Sequence, residues 1–256
     1  MKNSILAIAA MAVTSMLFTG CERHHHGENG SLNVEFEHLW GMNQLPFSIG
    51  TQYVHPMTGD TMTFTTLKYY ISNVELTKED GTVQFVPNSY YLVDASNPLS
   101  AMLSLDSIPS GHYTGISFLV GVDSTRNVSG AQTGALDPAN DMFWSWNSGY
   151  VFIKAEGTSP QSTMPNAIFK FHIGGFQGAN SGLNRASMSF GGGMAVVQEG
   201  ASPVVHLAVN PAMLWCANGV CFPGLAQESH LMMPNAATAQ RAKAFSEGFS
   251  FEHLHN

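Results

Sequence analysis

The sequence predicts an all-β domain, a single β-sandwich or irregular barrel with a short C-terminal helix. Three observations carry that expectation. From Ser31 onward, apolar and polar residues alternate in short runs, the period of a half-buried strand. Breakers separate the runs: Asp80-Gly81, Pro109-Ser-Gly111, Ser129-Gly130, Gly174-Gly175 and Gly191 to Gly193. Apolar residues make up 44% of the chain against 11% charged, ample material for one large core.

Residues 1–21 read as an export signal. Lys2 supplies a positive start, Ile5 to Phe18 are mostly apolar, and Leu17-Phe-Thr-Gly-Cys21 resembles a lipoprotein cleavage site. The apolar run is shorter than the ~20 residues of a membrane-spanning helix. Acylation at Cys21 would anchor the mature chain to a membrane at the cell envelope, on the periplasmic or outer-membrane surface. Residues 22–30, with His24, His25 and His26, read as a polar tether. A single domain then runs over 31–256, without internal repeat or linker.

Within it, Ser31 to His38 alternates so that Leu32, Val34, Phe36 and His38 share a face. Further strands are predicted over 61–66, 67–77, 83–86, 89–94, 113–122, 149–155, 167–173, 186–190 and 203–209. Pro211 to Trp215 suggests a turn of helix, and Pro234 to Phe245, with Asn235 as a cap, suggests a full one. Cys216 and Cys221 flank an Asn218-Gly219 turn, which returns one sulfur towards the other; an oxidising compartment would join them. The loop so closed is short, so its entropy contributes only about 2 kcal/mol.

The net charge of −8 argues against a nucleic-acid partner, since phosphate contacts need Lys and Arg that are scarce here. No nucleophile-base motif, phosphate loop or haem-attachment motif is present, so the sequence nominates no enzyme. The unusual feature is 11 His and 14 Met against 10 Lys plus Arg. Neutral imidazole and thioether are ligands for soft and borderline metals.

An ordered set of segments carries a family resemblance. Lys68-Tyr-Tyr-Ile-Ser-Asn-Val74, Gly121-Val-Asp-Ser124, Gly134-Ala-Leu-Asp-Pro138, Met142 to Tyr150, Ile153-Lys-Ala-Glu-Gly157 and Phe171-His-Ile-Gly-Gly175 follow one another in order. Together they resemble the MbnP-like copper-binding proteins associated with methanobactin. The resemblance implies copper as cofactor. It also implies a di-haem, MauG-like peroxidase partner that oxidises a Trp to kynurenine, whose aryl amine can coordinate where an intact indole N–H cannot.

His172, at a strand end before Gly174 and Gly175, is the first choice of ligand, followed by His38 and His230. Trp40, Met233 and His253 are additional positions, as ligands or as modified residues. His255 reads as a solvated terminal residue, His206 as a satisfied core histidine, and His55 and His112 as polar loop residues. Trp144 and Trp146 read as packing. The competing expectation is a metal-free adhesion or scaffold module in which the histidines stay scattered.

Overall fold

The computed structural model describes residues 29–130, 132–144 and 149–256. Cys21 with its leader, the tether up to residue 28, and Trp146 lie outside them. Ten longer strands build the fold: β1 (Asn29–Trp40), β2 (Thr61–Lys78), β3 (Tyr90–Asp94), β4 (Met102–Pro109), β5 (Gly111–Val120), β6 (Gly149–Thr158), β7 (Ile168–Gly174), β8 (Asn184–Ser189), β9 (Val204–Val209) and β10 (Phe249–His255). Strands form two curled sheets, and a helix over Ala236–Ser246 packs near the C-terminal end. The all-β expectation with one short C-terminal helix holds. No helix among the described residues is long and apolar enough to cross a membrane.

In the first sheet the order is β10, β9, β1, with β4 on the far side of β1; β9 runs parallel to β1 and antiparallel to β10. The second sheet runs β8, β5, β2, β6, β7, with β3 also paired to β2. Strand alternation turns one side of each sheet inward. Leu32, Val34, Phe36 and Trp40 of β1 are buried, as are Val205, Leu207 and Val209 of β9. The sheets meet in an aromatic cluster. Phe36 lies 6.3 Å from Tyr69 and 5.8 Å from both Phe118 and Phe249, all edge to face. Each such ring, fully buried, stabilises the fold by roughly 1.5–3 kcal/mol.

The predicted strands at 61–66 and 67–77 are one continuous strand, because Thr66 and Leu67 bring no breaker between them. An irregularity does occur further along, where Asn73 has φ 50° and the pairing with β5 shifts between Ser72 and Glu75. β1 begins at Asn29, so the predicted tether gives its last two residues to the sheet. β4 and β10 were absent from the predicted strands. In β4 the polar positions between Leu103, Leu105 and Ile108 dilute the alternation, and pairing with β1 supplies the partner that makes it a strand.

The predicted helix is present, and Asn235 closes a capping box: its side chain accepts from Thr238 N while Thr238 Oγ1 accepts from Asn235 N. Arg241, fully buried on this helix, donates to Leu214 O at 2.8 Å, Pro223 O at 2.9 Å and Glu228 Oε2 at 2.6 Å. Those bonds fasten the irregular 211–228 segment to the body. Within that segment Cys216 and Cys221 are disulfide-bonded across the turn at Asn218 (φ 50°) and Gly219 (φ 78°). Two consecutive positive φ values are what a tight hairpin turn of this kind requires.

Candidate metal centre

His38 lies on the inward face of β1 between Phe36 and Trp40, and its ring lies against Tyr69 and Phe47 at 5.8 and 6.2 Å. Its Nε2 is 3.1 Å from the Tyr69 hydroxyl. Burial drives its pKa down to about 4, so the ring is a neutral imidazole at neutral pH. It lines a cleft of about 290 Å³ that also presents Glu37, Phe47, Asp94 and Asn97.

Trp40 is 2% exposed, and its Nε1 donates to Val54 O at 3.2 Å. Its ring packs on Tyr53, Phe64, His55 and Trp215. An indole so placed is core, with its one polar atom already used.

His172 faces away from buried Phe169, Phe171 and Ile173, as the alternation predicts. Its Nε2 meets Glu156 Oε1 at 2.7 Å, and its cross-strand neighbour is Lys154, which is bonded to Asp141. Burial lowers its pKa, and Glu156 pulls it part of the way back. His230 is exposed on a two-residue strand paired with β7 at Lys170, and Met233 is half exposed beyond it.

The structure therefore does not gather His38, His172 and His230. Among the described residues, the group of three His, Cys, Asp or Glu whose ligand atoms lie within 4.8 Å of one another is His206, His253 and His255. Its origin is register. On β9, Val205 and Leu207 point inward, so His206 must point outward. Glu35 of β1 pairs with His206, and His206 pairs with His253 of β10, forming one cross-strand row. His255, two residues on from His253, returns to the same face. The His206 and His253 rings stack at 4.2 Å with 11° between planes, and His255 stands edge-on to both at 5.2 and 4.9 Å.

Glu35 Oε2 lies 3.4 Å from His206 Nδ1. Partial burial, then His253, push the His206 pKa down, while Glu35 pulls it up.

His206 is thus an outward-facing member of a cluster, where a core role was expected, and His255 shares that cluster. His55, expected to be a loop residue, is 2% exposed and fully satisfied: its Nε2 lies 3.1 Å from Ala212 O, and its Nδ1 accepts from the backbone N–H of Met57 and Thr58. With both nitrogens occupied it is a structural histidine. His112 pairs with Glu79 at the surface at 3.2 Å.

Comparisons with known proteins add a family. No curated protein matches the chain. A solved structure described as MbnP from Methylosinus trichosporium is similar at 15% identity, over 71% of this chain and 76% of its own, with a TM-score of 0.46. The MbnP family model matches residues 29–233, most of the chain and all of the ordered segments from Lys68 to Gly175. This chain belongs to the MbnP family.

Proposed function

We propose that the protein is an exported copper-binding protein, held at the cell envelope by a lipid on Cys21, and a carrier of the metal with no catalysis of its own. Membership of a methanobactin-associated family supports the copper reading. The observation that carries it to a residue is His38, a half-buried neutral imidazole bordering a cleft that also presents carboxylates. A ring held neutral can donate its Nε2–H to the Tyr69 hydroxyl and turn the Nδ1 lone pair to a metal, and imidazole suits copper. His172 is the weaker ligand, since the Glu156 carboxylate holds its Nε2 at 2.7 Å, more tightly than the Tyr69 hydroxyl holds that of His38 at 3.1 Å.

The family also suggests a di-haem peroxidase partner that oxidises a Trp. Trp40 sits two residues from His38 on the same face of β1, which makes it the residue to watch.

The test is the metal content of the mature protein purified from copper-replete cells. Stoichiometric copper that falls in His38→Ala supports the reading; wild-type protein devoid of copper rejects it. Mass spectrometry of the same preparation reports lipid on Cys21, and added oxygen on the peptide carrying Trp40 after exposure to the peroxidase.

A further inference from the structure

We propose that His206, His253 and His255 form a second metal site, for a borderline divalent ion with Cu2+ preferred over Zn2+, separate from the His38 cleft. Two of its three ligands lie beyond residue 233, where the family match ends, so that match covers only His206 of the three. The three donors are all imidazole nitrogens, the ligand type that suits copper and zinc, and Cu2+ leads the divalent affinity order.

The geometry is close to binding. One ring nitrogen from each residue already lies within 4.8 Å of the others. An ion ~2.0–2.1 Å from each nitrogen needs neighbouring nitrogens about 2.8 Å apart in the square plane Cu2+ favours and about 3.3 Å apart in the tetrahedron Zn2+ favours. His253 and His255 are exposed on the edge strand β10, so their rings can turn to close that gap without disturbing the core.

Glu35 stands where metal sites place an outer carboxylate. It approaches His206 Nδ1 from the neighbouring strand, an arrangement that fixes ring orientation and raises ligand basicity. Glu37 lies two residues on in the same strand and adds negative charge nearby. Three protein ligands leave a fourth position open to solvent. The site therefore suits an ion that arrives and leaves at the surface.

The experiment is a Cu2+ titration of the full mature chain, stripped with chelator and followed by electron paramagnetic resonance. Wild type is expected to give a Cu2+ signal with splitting from several nitrogens, displaced competitively by excess Zn2+. His206→Gln should weaken this binding by more than the ~10–100-fold that loss of an outer-shell partner costs. In the His38→Ala background, the double change His253→Ala and His255→Ala should remove the signal while circular dichroism stays unchanged. A parallel titration of His38→Ala should keep it, which separates this site from the one assigned above. A Cu2+ signal unaltered in the double variant, or none in wild type, would show the three rings to be a packing stack and overturn the proposal.

Discussion

One sheet carries histidine on both of its faces, and the two faces treat it in opposite ways. On the inward side His38 is alone, pressed against Tyr69 and Phe47, and burial holds it neutral. On the outward side His206, His253 and His255 sit half-buried to exposed, with ligand atoms gathered within 4.8 Å. Burial changes what a single ring does with a proton. Register decides whether several rings can share an ion. The inner face has the first property and the outer face the second, so perturbed proton affinity and ligand convergence locate different sites in this protein.

Substitutions that separate packing from ligation sharpen this contrast. The largest effect is expected at Trp40, beside His38 on the inner face. Trp40→Ala should cost about 3–5 kcal/mol in urea unfolding, the usual result of emptying a core aromatic position. A loss below about 1 kcal/mol would mean that the aromatic nest around it collapses freely.

Next comes the pH dependence of the chelator-treated protein. The His38 pKa is about 4 folded, against 6.5 for the free side chain, so between those values the unfolded chain binds the extra proton. Stability is full above pH 6.5 and is lost as pH falls towards 4, by about 3 kcal/mol in all. His38→Gln should flatten that slope, and an unchanged slope would move the effect to another group.

A third, smaller effect probes the outer face. Cu2+ at about 100 times its dissociation constant should stabilise wild type by about 2.7 kcal/mol, and the His253→Ala, His255→Ala double variant by nothing at that site. The smallest is His253→Ala without metal, expected within about 0.5 kcal/mol of wild type because the residue is exposed. A larger loss would make the ring stack itself a structural element and blur the distinction between the faces.

The fold class, the C-terminal helix with its Asn235 cap, and the Cys216–Cys221 bond were all legible in the chain, because each depends on neighbours in sequence. The site was less so. His253 was picked out, and the alternation around Val205 and Leu207 already turned His206 outward. That parity was the available signal for the cluster. What alternation cannot supply is that positions 35, 206 and 253 fall in one row, since it takes a parallel β1–β9 pair and an antiparallel β9–β10 pair to align them. Preference for histidines at strand ends before glycines led instead to His172, which the folded chain pairs with Glu156. His55 shows the converse: Pro56 beside it suggested a polar loop residue, and the loop is there, but the ring is buried and the turn's backbone N–H groups complete its bonding.

The most direct test of two copper sites on opposite faces of one sheet is a crystal structure of the copper-loaded protein, with anomalous difference density measured at the copper absorption edge. The account predicts one peak beside His38 in its cleft and another among His206, His253 and His255. A loaded crystal with no peak at either position, or with copper held only by other residues, would contradict it.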